Sequence, residues 1–541
     1  MIVTKVRFEE RTIELCSNDV DKESSVFTLI IGRNGYGKSA LLQKICQIGV
    51  SSLLGLNGSY QRIQDVMDYI ENRGVRTFDE TGILTYIAQN EQNEISIEKS
   101  RSIYPGIDLS EIPECFHAST IKHQIQSYER QNIFIRYAVN GVQQERTNNF
   151  PRIIAVSSSP FDKFPMLDER RLHGFFNNLN NNYIYRGART KNNSGKSYMR
   201  SKFDQLGTSF IEFFLKPENR TNEILPLFSY LGIETKFTVF LKFSDHFSFH
   251  DMLNEGGRGP LEMVNSVRFF KGNRDYSASL TDEEVERISS SVRSLYDGLF
   301  SESNSDGVFI RNEVIPINLD IIDSLGVKKP EYLKEFSVLA EYDLVDIDNI
   351  KFVKVSDGRE FFITDASSGE LCILFNMISI AGSIKDDSII LLDEPELSLH
   401  PEWQRDFLPL LAKVFSKYKR CHFIIATHSP HVVSSIPQSN SYVVNLECSP
   451  AKVIAGEKLA LHSSDYQLAY TFRSPGFKNE YLISQLVEVL SELSEGKKLD
   501  NGFIERINTL IAFDLIVPDD DPVKNLLSTL KNVWSAPYLQ A

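Results

Sequence analysis

The sequence predicts an α/β protein: a mainly parallel sheet domain, split by a mostly helical insertion and followed by a small helical C-terminal tail. Three observations carry this. The apolar, β-branched run Val26–Ile31 ends at a glycine-rich turn that leads into a helical pattern, as a buried central strand does. A second apolar run, Ile389–Leu392, ends in Asp393-Glu394. From residue 358 onward strands and helices alternate: a helix after Ser368, strand Ile389–Leu392, a helix after Pro401, then strands His422–Ala426 and Tyr442–Asn445.

The remaining elements follow in chain order. Val3–Phe8 and Thr12–Cys16 read as short strands, and 90–131 as polar and irregular. IFIRYAV and VQQERT form a hairpin about Asn140-Gly141, the type I′ dipeptide, and Ile153–Val156 is another buried strand. Between 165 and 357 the pattern is mostly helical, with a capping box at Thr281 and Glu284 and a terminal hairpin about Asp357-Gly358. Amphipathic helices are expected around Asn479–Leu493, Phe503–Ala512 and Pro522–Val533. The expected units are 1–165 and 358–462 for the two parts of the sheet domain, 166–357 for the insertion and 463–541 for the helical tail.

A chain of 541 residues with 42% hydrophobic and 24% charged residues is that of a globular protein, not a disordered one. No run approaches a membrane span, and MIVTKVRFEE lacks the apolar core of a secretory signal, so a cytoplasmic protein away from membranes is expected. The six cysteines lie far apart without C-x-x-C, which points to neither a zinc knuckle nor a disulfide framework. With a net charge of −14, any nucleic-acid footprint has to be local.

Gly32-Arg-Asn34-Gly35-Tyr-Gly37-Lys38-Ser39 satisfies G-x-x-x-x-G-K-[ST] between a buried strand and a helix. The glycines allow backbone N–H groups to close around a phosphate that a Cβ would obstruct. Lys38 supplies charge to the outer phosphates of ATP, the Ser39 hydroxyl is a Mg²⁺ ligand, and the helix start through Ala40 adds its partial positive charge. Asp393 is placed to hold the same Mg²⁺, and Glu394 to orient and deprotonate an attacking water.

Further motifs give a resemblance. Ala366-Ser367-Ser368-Gly369-Glu370 resembles the signature of ABC-type ATPases, with alanine where leucine is usual. Leu397-Ser398-Leu399-His400-Pro401 looks like the D-loop region, and His428 in ATHSP stands where that class has its switch histidine. The resemblance implies an ABC-ATPase (P-loop NTPase) head working as a homodimer or higher even oligomer. In such a dimer Ser367, Ser368 and Gly369 of one subunit contact the γ-phosphate held by the other. The glutamine that reports on Mg²⁺ in this class has two candidate places here, Gln89 and the SSSPFDKF loop, the latter better supported by the strand before it.

Lys38 and Ser367 stand 329 positions apart, which with L-L-D-E-P-E-L-S-L-H-P-E-W-Q resembles the SMC/RecF/OLD-like branch. IIAVSSSPFDKF, YIYRGAR and the helical tail resemble the PtuA family, the ATPase subunits of Septu antiphage systems, also found with retrons. That resemblance implies an HNH nuclease partner of PtuB type. An OLD-type nuclease is the alternative, with Asp519, Asp521 and Glu457 as its metal site; a RecF-like DNA-repair ATPase is another. Residues 183–202 carry Arg186, Arg189, Lys191, Lys196, Arg200 and Lys202 among Tyr183, Tyr185 and Tyr198, a candidate nucleic-acid contact against the plainer reading of a surface loop. Lys196 in NNSGKS is not a second phosphate loop, because Thr190 replaces its first glycine.

Overall fold

The computed structural model describes residues 1–8, 11–17, 19–56, 82–99, 133–144, 152–159, 162, 164–165, 182–187, 206–207, 209–215, 221–243, 286–295, 314–321, 333–341, 344–496 and 499–535. The capping box at Thr281 and Glu284, and Arg189 through Lys202, lie outside them.

In chain order the strands are β1 (Ile2–Phe8), β2 (Arg11–Glu14), β3 (Val26–Ile31), β4 (Gly82–Ala88), β5 (Glu91–Lys99), β6 (Ile133–Val139), β7 (Val142–Gln144), β8 (Arg152–Ser157) and β9 (Tyr183–Arg186). They continue with β10 (Lys236–Phe243), β11 (Val314–Asp320), β12 (Val345–Val353), β13 (Glu360–Phe362), β14 (Ser388–Asp393), β15 (His422–Ala426), β16 (Ser441–Asn445) and β17 (Lys452–Ala455). A seven-stranded sheet runs β17-β16-β3-β15-β14-β8-β9, parallel except at its β17 edge. All residues of β3 and β14 are buried, as strands covered on both faces must be.

Alternate residues of these strands feed two cores. Ile30, Ile389 and Leu391 pack with Leu41, Leu42 and Ile45 of α1 (Lys38–Leu56) and with Val6, Leu84 and Ile95 of the antiparallel sheet β2-β1-β4-β5-β6-β7. Helix α1 is therefore held between two sheets. Leu29, Ile31, Ile390 and Leu392 point the other way, onto the helical and inserted segments. There lie α2 (Leu225–Leu231), α3 (Leu333–Glu341), α4 (Ser368–Ala381) and α5 (Pro401–Val414). The phosphate-loop helix and the Ser367 helix thus occupy opposite faces of the central sheet.

The insertion departs from the expected pattern. Among its described residues is an antiparallel sheet, β11-β10-β12-β13, beside α2 and α3. KFTVFLKF in β10 alternates buried and less buried residues, the period of a half-covered strand rather than of a helix. Tyr183–Arg186 is the edge strand of the central sheet, so the expected boundary at 165 divides a sheet that continues past it. β5 likewise lies in the stretch read as irregular. The Asn140-Gly141 hairpin has the left-handed φ angles of 50° and 79° that its turn type needs.

After the short helix α6 (Pro430–Ser434) and β17, the tail forms α7 (Glu480–Ser494), α8 (Asn501–Ala512) and α9 (Pro522–Trp534) around Leu486, Phe503, Ile507, Leu527 and Leu530. Among the described residues no helix is long and apolar enough to cross a membrane. The five described cysteines are free thiols.

Candidate functional site

β3 delivers Gly32 to the C-terminal edge of the parallel sheet, where the loop turns back into α1. Gly35 and Gly37 have φ of 88° and 91°, a conformation side chains resist, and a Cβ on Gly35 would meet nothing within 4 Å. Conformation rather than crowding therefore demands glycine there. Asn34 is exposed on the loop, and Ala40 lies in the first turn of α1, where Leu41 N donates to Gly37 O at 2.8 Å. Lys38 is buried, and its Nζ donates to Gly32 O at 2.7 Å, folding the side chain back along the loop. Burial holds its pKa below the usual lysine value, against the pull of Glu394 and Asp393.

The acidic strand reaches the same edge. β15 lies between β3 and β14, yet Ser39 Oγ donates to Asp393 Oδ1 at 2.9 Å. Burial pushes Asp393 up to about 7; Ser39 opposes this, while Glu394, Asp162 and Glu396 add to it. Carboxylates crowded with so little water form a place for a cation. Among the described residues no three His, Cys, Asp or Glu side chains form a metal cage of their own. Mg²⁺ takes one or two protein ligands and completes its shell with phosphate and water. Ser39 and Asp393 fit this role.

Glu394 follows with a left-handed φ of 51°, and its N–H is tied to Ala426 O at 3.0 Å. The bend turns its side chain away from the strand direction, with Oε1 3.7 Å from His428 Nε2. His428 Nδ1 is 3.5 Å from Lys38 Nζ. Burial, and then the Lys38 charge, hold the imidazole below its usual pKa, so it is neutral at pH 7. Lys38, Ser39, Asp393, Glu394 and His428, drawn from three strands, therefore meet in one place.

The signature stands elsewhere in the chain. Ser367 is the N-cap of α4: Glu370 N donates to its Oγ at 3.2 Å and Ser367 N to Glu370 Oε2 at 2.9 Å, a complete capping box. Lys354 Nζ donates to Glu370 Oε1 at 2.7 Å, linking the inserted sheet to this cap. Ser367 and Ser368 are exposed, whereas Gly369 is buried under Trp403, whose ring would lie 3.1 Å from an added Cβ. His400 caps α5.

Two acidic residues join the site without having been singled out. Asp162, from the SSSPFDKF loop, accepts from Tyr185 OH at 2.7 Å and raises the Asp393 pKa. This loop follows β8, the neighbour of the acidic strand β14, whereas Gln89 lies in the turn between β4 and β5 of the other sheet. Glu396 is the other; D-E-P-E was the signal available for it.

Two expectations about contacts change. Tyr183, Tyr185 and Arg186 are buried in an edge strand of the central sheet, and Tyr183 OH donates to Pro165 O at 2.6 Å, so they are not a surface for bases. Asp521 is buried and caps α9 by accepting from Val523 N, also accepting from Lys478 N. Asp519 is exposed beside Lys524, and Glu457 lies in a 3-10 turn, so the nuclease alternative finds no assembled metal site among the described residues.

Together the strand order, glycine loop, acidic pair and histidine define a P-loop ATPase fold. Residues 257–434 match the AAA_21 family, "AAA domain, putative AbiEii toxin, Type IV TA system". Protein ea59 of Escherichia phage lambda is 30% identical over 164 residues, covering 29% of this chain and 30% of its own length. The Retron Ec83 probable ATPase of Escherichia coli is 32% identical over 141 residues, 25% of each chain. The Retron Vc95 probable ATPase of Vibrio cholerae serotype O1 biovar El Tor is 24% identical over 234 residues, 40% of each. The chain thus spans between a quarter and two-fifths of the length of these curated relatives. A solved Smc head domain with an extended coiled coil, bound to the C-terminal domain of ScpA from Pyrococcus furiosus, aligns over 84% of this chain and 97% of that one, at 12% identity and a TM-score of 0.27.

Proposed function

We propose that this protein binds and hydrolyses ATP with Mg²⁺, and that nucleotide-driven pairing of two copies controls a partner nuclease in antiphage defence. The observation carrying the ATPase reading is the convergence of Lys38, Ser39, Asp393, Glu394 and His428 at one sheet edge. Lys38 and the loop N–H groups would bind the triphosphate, and Ser39 with Asp393 would hold Mg²⁺. The ion supplies charge neutralisation for the transferred phosphoryl group. Glu394 takes the proton of the attacking water, while His428 orients it and screens Glu394 from Lys38.

Pairing is supported by the placement of the signature. Ser367 begins a helix on the opposite face of the sheet from α1 and is exposed; its hydroxyl is engaged by Glu370, accepting from N and donating to Oε2 at 2.8 Å, so contact with a second copy's nucleotide would have to exchange that donation to Glu370 for one to phosphate. The defence setting is supported by the two retron ATPases among the relatives. An HNH nuclease partner of PtuB type follows from the sequence resemblance. The tail is its docking place in this reading, since α7, α8 and α9 pack around a core of their own.

The test is phosphate release by the purified protein with MgATP, with Lys38→Ala and Glu394→Gln alongside. Turnover that persists in both variants would sink the reading. Co-purification from a host carrying the neighbouring genes tests the partner: no nuclease in the complex would leave an ATPase acting alone.

A further inference from the structure

The turn carrying His428 is held by a residue to which the hydrolytic scheme gives no part. Glu396 lies two positions after Glu394 and is 8% exposed. Its Oε1 accepts two hydrogen bonds, from Thr427 Oγ1 at 2.7 Å and from His428 N at 2.8 Å. Thr427 Oγ1 in turn accepts from Ser429 N at 3.0 Å, and Thr427 N donates to Ile30 O at 3.1 Å, at the end of β3. One carboxyl oxygen thus holds both the Thr427 side chain and the amide of the Thr427–His428 peptide.

The acidic turn is itself rigid. Glu394 N is bonded to Ala426 O, Leu397 N to Glu394 O and Leu399 N to Glu396 O, at 3.0, 3.2 and 3.0 Å. Two turns from adjacent strands are therefore stitched together, and the Glu396 side chain is the only stitch that reaches the His428 amide among the described bonds. A buried carboxylate is costly to keep for packing alone, and its Oε2 is buried with no hydrogen-bond partner among the described atoms. An apolar side chain of the same length would avoid that cost but would leave the Thr427 hydroxyl and the His428 amide without their acceptor.

We infer that Glu396 is a positioning residue: by holding Thr427 and the His428 amide it fixes the imidazole between Lys38 and Glu394. The inference rests on the ATPase reading for its kinetic consequences, but the clamp is a statement about His428 and can be read directly.

The experiment compares Glu396→Met, Glu396→Gln and Thr427→Val in the full chain. Met has nearly the same length and lacks the carboxyl oxygens; Gln keeps the accepting oxygen without an ionisable group; Val removes the Thr427 donor and with it the acceptor of Ser429 N. Thermal melts first establish which variants fold, and Thr427→Val carries the test if Glu396→Met does not. The expected result for Glu396→Met is a fall of about tenfold or more in kcat with ATP affinity, read with a fluorescent ATP analogue, changed by less than about threefold, since small misplacements of a catalytic group cost rate rather than binding. Glu396→Gln should recover most of the lost rate. In parallel, the His428 imidazole resonances, assigned with His428→Gln, should move in Glu396→Met and return toward wild type in Glu396→Gln.

Unmoved His428 resonances in a folded Glu396→Met or Thr427→Val protein would overturn the clamp. So would a wild-type kcat in a protein whose His428→Ala variant is slow. If His428→Ala and Glu394→Gln both leave hydrolysis unaltered, the ATPase scheme fails, and the resonances still decide on the clamp.

Discussion

Ser39 Oγ donates to Asp393 Oδ1 at 2.9 Å across 354 positions of sequence. Their strands are not neighbours in the sheet, because β15 runs between β3 and β14. The bond therefore spans an intervening strand and sets how far the phosphate loop sits from the acidic turn. It also places the last element of the turn, Glu394, within reach of a histidine that the intervening strand itself presents.

Lys38→Ala should abolish ATP binding. The lysine is 5% exposed and folded onto Gly32 O, so its loss removes both a charge and a bond that shapes the loop. Calorimetry with MgATP should show no heat of binding, while circular dichroism remains that of the folded protein.

Glu394→Gln should keep affinity and lose turnover, by about a hundredfold or more in phosphate release, the size of a general-base contribution. Light scattering should then find a larger oligomer with ATP than without it. A variant that hydrolyses ATP at the wild-type rate would remove Glu394 from the role of base.

Ser367 caps α4 and, in the proposed dimer, would also contact a second copy's phosphate; substitutions separate the two. Ser367→Ala removes a helix cap and should lower stability by about 1 kcal/mol. Ser367→Asn keeps a neutral capping side chain that can accept from Glu370 N and donate to Glu370 Oε2 but removes the hydroxyl, so melts should stay near wild type while ATP-dependent association is weakened. Association unchanged in Ser367→Asn would count against contact between the signature and a second copy's phosphate.

Acid should destabilise the protein through His422. Burial depresses its pKa from 6.5 to about 3. Its Nδ1 accepts from Val3 N at 3.0 Å and its Nε2 bonds Thr28 Oγ1, whose own hydroxyl donates to Leu15 O, so the ring is held neutral with its proton on Nε2. Between these two pKa values the unfolded chain binds the proton and the folded one does not. The contribution is whole above pH 6.5 and is lost as pH falls toward 3, on the order of 5 kcal/mol in full. Urea titrations of His422→Gln at pH 7.5 and 4.5 should show a pH loss about 2–3 kcal/mol smaller than in the wild type.

The sheet domain could be read from the sequence because its strands are short apolar runs closed by glycine or acid, and its turns carry Asn-Gly or Pro. The insertion was less legible. The hairpin expected about Asp357-Gly358 is present as the β12–β13 pair, whereas β10 alternates among helical patterns, and only its pairing with β11 and β12 makes that period decisive. β5 shows only Ile95 and Ile97 among polar residues, and Asn93, buried at 1%, gives no apolar signal at all. Within the site, Lys38, Ser39, Asp393 and Glu394 belong to local motifs, whereas Asp162 and Glu396 gain their meaning from Tyr185 and Thr427, contacts that spacing does not encode. Arg186 and its tyrosines misled because basic and aromatic residues describe a nucleic-acid face only when solvent reaches them.

His431, the second residue of the short helix α6 that follows His428, has its Nδ1 2.7 Å from Ser464 Oγ, and Leu461 N donates to Ser434 O. The segment that carries His428, which in the proposed reaction would face the end of the triphosphate, is thereby bolted to the first turn of the tail. From there the contacts run on to Tyr466, whose ring stacks on Tyr470, and to Tyr481, which meets both rings edge-on.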